Sequence, residues 1–491
     1  MKKIIGFAIC FTALLYSFSS CKSNDPVDTN KYVNNWIYEN MVNYYLWNDK
    51  IPLTPDYTLT PDKFFASLLY KYNKDTNPHG DRFSWIQENY VDLLNSLSGV
   101  STDEIGFEYV FVRVKNTNTY YLLVLYPKPG TDAYSKGIKR GDFIMKINGT
   151  DITKNNYSVL LSGTGAKTLS VAKLTPNAEG KYDLSLIGDV NVQMKSNYAE
   201  NPIYLDSIYT VNNKKVGYLV YNFFANDNGD DSRSYDKQLM EVLQKIKSQG
   251  ATEFILDLRY NRGGTLSSAV ALASALVKNR STSNLLDSLR FNPLVHSELK
   301  KRSGADFNKD HFIDKVVNNN QQTVAAVPTS NYSTLYILVT GSTASASELV
   351  INGLKPYMDK ITLIGDTTVG KNVGSISLYE KNDSRNKWGM QPIVFQYYNS
   401  QGKSDFTAGF VPDYPVDEFE SLYLVNFGKT EEPLLNKALS LINGGSSGVH
   451  PRKVYISEKS YLKQKIELKK VKTDLSDDIR GEEIRKKMLE R

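Results

Sequence analysis

The spacing of apolar residues along the chain changes several times. From residue 31, apolar side chains recur at steps of three and four, which is typical of an amphipathic helix. Two similar patterns follow, PDKFFASLLYKY from Pro61 and a segment from Tyr90 to Leu97. Residues 31–98 are therefore predicted to form a small helical N-terminal unit.

Short strand patterns replace the helical spacing from residue 105 onward. They read IGFEYVFVRV, TYYLLVLYP and DFIMKING, with the turn-rich PGTDAYSKGIKRGD between the last two. This order resembles a PDZ domain of the bacterial protease type, and we assign it to residues 99–185. The resemblance implies that the loop containing Gly106 and Phe107 captures the C-terminal carboxylate of a peptide, which then adds as an extra strand. The alternative is a β domain that acts only as a spacer.

Long apolar runs alternate with helical patterns in the second half of the chain. The runs are KVGYLVYNFF, EFILDLRY, LYILVT and the shorter ITLIG. Continuous apolar strands alternating with helices are typical of a layered α/β domain, which we place at residues 186–445. A polar insertion at about 279–324 interrupts this scheme and is expected to form a covering loop or lid.

The N-terminus has the features of an export signal. Lys2 and Lys3 precede the apolar run IIGFAICFTALLYSF, which is too short to span a membrane. We predict a signal peptide at residues 1–20 and a polar tether at 21–30. The sequence SFSSC resembles a bacterial lipobox, which implies that Cys21 carries a lipid and anchors the protein in the bacterial cell envelope. The alternative is an ordinary secreted protein. With only two cysteines, both in this region, no disulfide framework is expected.

The formal net charge of +6 is concentrated at the two ends of the chain. Removal of the signal peptide takes away two lysines, and the segment from Pro451 onward holds thirteen Lys and Arg against eight Asp and Glu. The remainder is nearly neutral, which argues against a basic nucleic-acid groove. We interpret residues 446–491 as a solvated or surface-associating basic tail.

Candidate chemistry lies between residues 336 and 375, which contain GSTASASE and later VGKNVGS. A serine becomes a nucleophile when a base removes its proton, and a lysine held neutral in an apolar pocket can be that base. The four histidines lie in polar turns or in the insertion, where surface roles are expected. The alternatives are a serine that only caps a helix and a solvated loop lysine.

Together with DLRYNRGG and GFVPDYPV, these motifs resemble the carboxy-terminal processing peptidases, also called tail-specific proteases. The resemblance extends from about residue 31 to residue 417 and implies a crotonase-like layered core. It also implies a nucleophile at Ser345 and a general base at Lys371. The oxyanion hole would use the backbone amides of Ala346 and of the pair Gly263 and Gly264. A serine that begins a helix after a buried strand fits this assignment, because first-turn amides have no intrahelical partner.

One position departs from the family pattern. Four residues after the lysine the family usually has a glutamine that orients the amine, and this chain has Ser375.

The sequence predicts no cofactor and no metal: the calcium-like run from Asp306 to Asp310 has histidine where glycine is required. The predicted partners are polypeptides with free C-termini and, through the lipid, a membrane. Two rival functions are a catalytically silent peptide-binding relative and a polymer- or carbohydrate-binding surface lipoprotein. The sequence predicts no oligomeric state.

Overall fold

The computed structural model describes residues 29–97, 100–101, 103–114, 117–178, 182–330, 332, 334–445 and 468–469. The predicted signal peptide, Cys21, most of the tether and all but two residues of the basic tail lie outside these ranges. Within them, no helix combines the length and the apolar character needed to cross a bilayer.

The N-terminal unit contains the three predicted helices and shares its core with the rest of the chain. The helices are α1 (Thr29–Tyr44), α2 (Pro61–Leu68) and α3 (Tyr90–Leu97), with the short strand β1 (Trp85–Gln87) before the last. Val33 and Phe64 belong to the same buried cluster as Leu219 and Leu256 of the central sheet. This unit is therefore a layer packed on the α/β core and has no separate core of its own.

A seven-stranded antiparallel sheet follows, which we call the β3–β8 sheet. After β2 (Val100–Ser101), its elements are β3 (Phe107–Arg113), β4 (Thr119–Pro127), α4 (Asp132–Ser135), β5 (Phe143–Ile147), β6 (Thr150–Thr153), α5 (Tyr157–Leu161), β7 (Ala166–Pro176) and β8 (Tyr182–Gln193). The strand order is β24-β3-β4-β6-β5-β7-β8, where β24 is Leu468–Lys469. Strand β8 pairs with β7 as far as Gln193, so the sheet extends past the expected boundary at residue 185.

The central sheet has six strands in the order β10-β11-β12-β17-β18-β23, and all neighbours are parallel except β10 and β11. After β9 (Tyr198–Ala199), these elements and their helices are β10 (Ile203–Val211), β11 (Lys214–Tyr221), α6 (Ser234–Ser248), β12 (Glu253–Asp257), α7 (Leu266–Leu276), β17 (Thr334–Val339), α9 (Ala346–Leu354), β18 (Lys360–Gly365), β23 (Tyr414–Pro415) and α10 (Pro433–Ile442).

Alternate residues of the central sheet point to two different apolar layers, as the pleat requires. Leu219 and Leu256 pack with helices α6, α7 and α9 and with the N-terminal unit. Tyr218 and Ile255 pack with α10 and with the β3–β8 sheet, which contributes Leu125. The predicted layered α/β core is confirmed, and the β3–β8 sheet is packed against it.

The polar insertion is folded, which differs from the expected covering loop. It contains β13 (Leu285–Phe291), α8 (Pro293–Ser303), β14 (Lys309–His311), β15 (Lys315–Val317) and the start of β16 (Thr323–Ala326). Strands β13 and β14 join β22 (Ile393–Asn399) and β19 (Val373–Ser375) in a four-stranded sheet. A second, three-stranded sheet is formed by β1, β20 (Leu378–Tyr379) and β21 (Gly389–Gln391). Leu286 and Leu289 are buried, so this segment is held by packing.

Candidate active site

Ser345 occupies a strained position between a buried strand and a helix. It follows β17 and is the N-cap of α9, with φ 54° and ψ −115°. A serine with positive φ is unusual, and such strain persists mainly where the surrounding structure enforces it, often at functional sites. The residue is 6% exposed, and the next residue, Ala346, carries a first-turn amide that lacks an intrahelical acceptor. Ser345 is thus a helix cap, as one alternative held, and is also placed next to the first-turn amide of Ala346.

The loop after β12 brings Gly263 against this helix start. A Cβ atom on Gly263 would lie 2.7 Å from the Ser345 Cβ and 3.0 Å from the Ala346 nitrogen, and the residue has φ +102°. The Gly263 amide donates to Asn261 Oδ1 at 2.9 Å, so that amide already has an acceptor. A Cβ on Gly264 would instead meet the Phe224 carbonyl oxygen at 2.1 Å. Of the predicted glycine pair, Gly263 faces Ser345 and Ala346, and Gly264 packs on the neighbouring strand end.

Glu348 connects the serine loop to the lysine loop. Its Oε2 accepts hydrogen bonds from the amides of Ser345 at 3.0 Å and Lys371 at 2.7 Å. Its Oε1 accepts from the amide of Gly370 at 2.7 Å and from the Thr368 hydroxyl. The side chain is fully buried, and this desolvation raises its pKa to about 7, although all four hydrogen bonds favour the ionised form. One carboxylate therefore sets the relative position of the two backbone segments.

Lys371 is 3% exposed, which rules out the solvated loop lysine. It lies two residues before the start of β19, and its Nζ is 5.7 Å from the centroid of the Phe83 ring. Arg82, the residue before Phe83 in the N-terminal unit, supports the loop that carries Lys371. Its Nη2 donates to the carbonyl oxygens of Val369 at 2.7 Å, Gly370 at 3.1 Å and Thr407 at 2.8 Å. The N-terminal unit thus helps to build the surroundings of the lysine.

Ser375 is buried at the end of β19, four residues after Lys371. Residues 373 and 375 point to the same face of this strand, because side chains alternate between the two faces. The predicted role of Ser375 in orienting the lysine amine stays a prediction.

A cavity of about 580 Å³ joins the lysine to the β3–β8 sheet. Lys371 and Ala344 lie at one end, and Phe107, Tyr109 and Phe111 of β3 line another part. The N-terminal unit contributes a third wall, which includes Phe83. The cavity is therefore built from all three layers, and its walls combine aromatic rings with charged side chains, which suits a polypeptide as ligand.

The loop predicted to bind a peptide carboxylate is occupied by a side chain of the protein itself. The Gly106 amide donates to Glu104 Oε1 at 2.7 Å, and Lys128 Nζ lies 2.8 Å from Glu104 Oε2. Both charged side chains are largely buried. Phe107 follows at the start of β3 and is 1% exposed. A substrate carboxylate would have to displace Glu104 to reach the Gly106 amide.

Sequence reasoning missed three residues of this site: Arg82, Glu104 and Glu348. Glu348 had a detectable signal, because a serine N-cap followed three residues later by glutamate is a capping-box pattern. No local pattern pointed to Arg82, because its hydrogen-bond partners lie between 287 and 325 positions further along the chain.

The arrangement is suited to acyl transfer at a buried hydroxyl. It offers a strained serine, an adjacent helix-start amide, a buried lysine on a connected loop and a cavity lined by that lysine and by Ala344, the residue before the serine. In the described part of the chain, no group of three His, Cys, Asp or Glu side chains is arranged to hold a metal ion.

Comparisons with known proteins identify the family of the chain. The family model described as peptidase family S41 matches residues 215–416, and the peptidase S41 N-terminal domain model matches residues 32–85. A carboxyl-terminal-processing protease of Picosynechococcus is 24% identical over 393 residues, which are 78% of this chain and 83% of that protein. The carboxy-terminal processing protease CtpA of Bacillus subtilis is 24% identical over 57% of this chain and 51% of its own length.

A solved structure assigned to the S41 proteases, from Bacteroides fragilis NCTC 9343, has 31% sequence identity and a TM-score of 0.68. The match covers 84% of this chain and 98% of that one. The chain belongs to peptidase family S41, whose members are serine-type peptidases and include carboxyl-terminal-processing proteases.

Proposed function

We propose that this protein is an exported serine endopeptidase in which Ser345 is the nucleophile and Lys371 the general base. The observation that carries the proposal is the pair of hydrogen bonds from the Ser345 and Lys371 amides to one oxygen of Glu348. These bonds hold the backbones of a strained serine and a buried lysine at the same carboxylate oxygen, Glu348 Oε2. The same cavity is lined by Lys371 and by Ala344, the residue next to the serine.

In the proposed reaction, neutral Lys371 takes the proton of the Ser345 hydroxyl while the oxygen attacks a peptide carbonyl. The Ala346 amide donates to the oxyanion of the tetrahedral intermediate. Within the predicted glycine pair, the second donor would be the Gly264 amide, because the Gly263 amide already donates to Asn261. The protonated lysine then gives its proton to the leaving amine. Water, deprotonated by the same lysine, hydrolyses the acyl-enzyme and restores the serine.

The test compares casein hydrolysis by the mature protein with that of Ser345→Ala, Lys371→Ala and the double variant. Each single change should remove nearly all activity, and the double change should add little, because nucleophile and base act as one unit. Ser342→Ala and Lys355→Ala are matched controls. Ser342 lines the same cavity, whereas Lys355 is a second desolvated lysine, 3.9 Å from the Phe410 ring centroid.

Acylation separates this proposal from a catalytically silent relative. A serine-directed acylating probe should label Ser345, identified by mass spectrometry, and should leave Ser342 unlabelled. Retention of more than roughly a tenth of the activity by either single alanine variant would show that its assigned role is wrong.

Substrate capture at the β3–β8 sheet is part of the proposal. The PDZ-like order of elements supports strand addition at β3, whose side chains line the cavity that leads to Lys371. The family resemblance favours substrates with free C-termini, whereas the contact of Glu104 with the Gly106 amide favours internal segments. Hydrolysis of one peptide as its free acid and as its amide distinguishes the two. Removal of the whole sheet would be a poor test, because its Leu125 is buried against the core.

We also propose that Cys21 carries a lipid and holds the enzyme at the bacterial envelope. The N-terminal sequence supports this, since SFSSC follows a short apolar run. Cys21→Ala should release the protein from membranes or block its processing. Membrane retention of a correctly cleaved Cys21→Ala protein would assign the attachment to the basic tail.

A further inference from the structure

The outermost strand beside β3 comes from the far end of the chain. Strand β24 pairs antiparallel with β3, with Leu468 opposite Val112 and Lys469 opposite Phe111. On its other edge β3 pairs with β4. The edge at which strand addition would place a substrate is therefore occupied, at Phe111 and Val112, by a segment of the same protein.

The direction of this pairing matches that of an added peptide. Residue numbers rise along β24 as they fall along β3, so β24 runs toward Phe107 and the Gly106 loop. A peptide captured by its C-terminal end would run the same way. Because β3 side chains line the cavity that reaches Lys371, this segment and a substrate strand would compete for one edge.

The charges near the Gly106 loop favour a basic, internal segment. Lys128 Nζ lies within 4 Å of three carboxylates, those of Glu104, Glu108 and Glu200. Arg262 forms an ion pair with Glu108 at 2.9 Å. The cluster therefore contains three carboxylates and two basic side chains, so its formal charge is negative. The Gly106 amide already donates a hydrogen bond to Glu104, so it is not available to the carboxylate of a substrate unless Glu104 moves away.

The C-terminal segment has the complementary composition. Residues 463–472 read KQKIELKKVK, with five lysines and one glutamate. Twenty-two residues separate Gly445 from Leu468, and a chain of that length can reach at most about 70 Å when extended. The pairing of β24 with β3 and the lysine content of this segment together identify it as a candidate ligand of the edge.

We propose that the segment around Leu468 and Lys469 is a built-in ligand of the β3 edge, which competes with substrate and restrains the peptidase. The edge would accordingly accept basic internal strands in preference to free C-termini. This deepens the proposed function, since the substrate is assigned to the same site, but its test below is a binding measurement that needs no catalysis.

The test uses the full chain with Ser345→Ala, with and without Leu468→Pro and Lys469→Pro. Proline has no amide hydrogen, so these changes remove the backbone pairing without touching the folded domains. Ser476→Pro with Asp477→Pro is the matched control in the same tail. The probe is a fluorescent peptide of residues 463–472, acetylated and amidated, titrated by anisotropy.

The variant with prolines at 468 and 469 should bind the peptide at least about tenfold more tightly than the other two chains, because a tethered competitor acts at high effective concentration. The free-acid peptide should bind no more tightly than the amide, and glutamate at positions 469, 470 and 472 should weaken binding about tenfold. Equal binding to all three chains, or absence of binding to any, would overturn the proposal. A preference for the free acid would replace it with carboxylate capture. If Ser345 were not the nucleophile, these affinities would be unchanged.

Discussion

The backbone amide of Lys371 donates to Oε2 of Glu348 at 2.7 Å, and the same oxygen accepts the amide of Ser345. Glu348 thus acts as a positioning residue with no chemical step assigned to it. Each carboxylate oxygen of Glu348 accepts hydrogen bonds from two donors. A glutamine at this position would replace one oxygen with an NH2 group, which would face donors where the oxygen accepted their hydrogen bonds.

Glu348→Gln should therefore lower kcat by roughly 10- to 100-fold, since one buried donor conflict costs about 1 to 3 kcal/mol. Steady-state kinetics on a short reporter peptide measure this. Glu298→Gln, at an exposed ion pair with Arg302, is the control and should match the parent. Unchanged kcat in Glu348→Gln would remove the carboxylate from the positioning role.

The raised pKa of Glu348 predicts opposite effects of pH on stability and activity. Burial raises it from 4.5 to about 7, so between these values the folded state binds more protons than the unfolded state. The free energy of unfolding should then fall as pH rises from about 5 to 7. Activity should rise over the same range, because the ionised carboxylate accepts all four hydrogen bonds.

Denaturant titrations at pH 5, 6 and 7 check the stability part. Glu348→Gln cannot titrate there, so its unfolding midpoint should change less with pH than that of the parent protein. A parallel pH dependence in both proteins would assign the effect to other groups.

Gly263→Ala should abolish proteolysis, because the new Cβ would lie 2.7 Å from the Ser345 Cβ. Gly229→Ala is a closely matched control. Gly229 has φ +98°, similar to the +102° of Gly263, and a Cβ there would meet nothing within 4 Å. Both changes carry the backbone cost of about 1 kcal/mol or more, but only the first disturbs the serine. Comparable activity in the two variants would contradict the close approach.

Ser375→Ala should slow the reaction by about 10- to 100-fold if one hydrogen bond, direct or through water, orients the lysine. Ser375→Gln should be tolerated if the pocket has room. The measurement is kcat against pH, since a disoriented base alters the pH profile, whereas simple loss of folded protein lowers all points equally. An unchanged rate in Ser375→Ala would mean that another residue orients Lys371.

Local patterns predicted those parts of the structure that depend on neighbouring residues. The helix from Tyr90 to Leu97 and the strand from Thr119 to Pro127 have the predicted bounds, because apolar spacing and turn residues define them. The insertion was expected to be a covering loop or lid, and it contains regular strands and a helix, because its polar surface conceals the buried face of Leu286 and Leu289. Whether it covers the site stays a prediction.

Long-range contacts account for most of what the sequence could not predict at the site. The motifs predicted Ser345 and Lys371 as site residues, which stays a prediction. No local pattern shows that Glu104 accepts a hydrogen bond from the Gly106 amide or that Arg82 supports the lysine loop. These contacts depend on how the layers pack, which single-sequence patterns do not encode.

The bond from Arg82 to the Thr407 carbonyl spans 325 positions of the chain. A nascent chain therefore carries Arg82 long before its partner has been synthesised, and the loop that closes is among the longest the protein forms. Contacts of this separation slow folding, although the entropy of closing a loop grows only with the logarithm of its length. The last of the three Arg82 contacts can form only after residue 407 has been made. The order of biosynthesis thereby sets the order in which these contacts become possible: those to Val369 and Gly370 come first, and the one to Thr407 comes last.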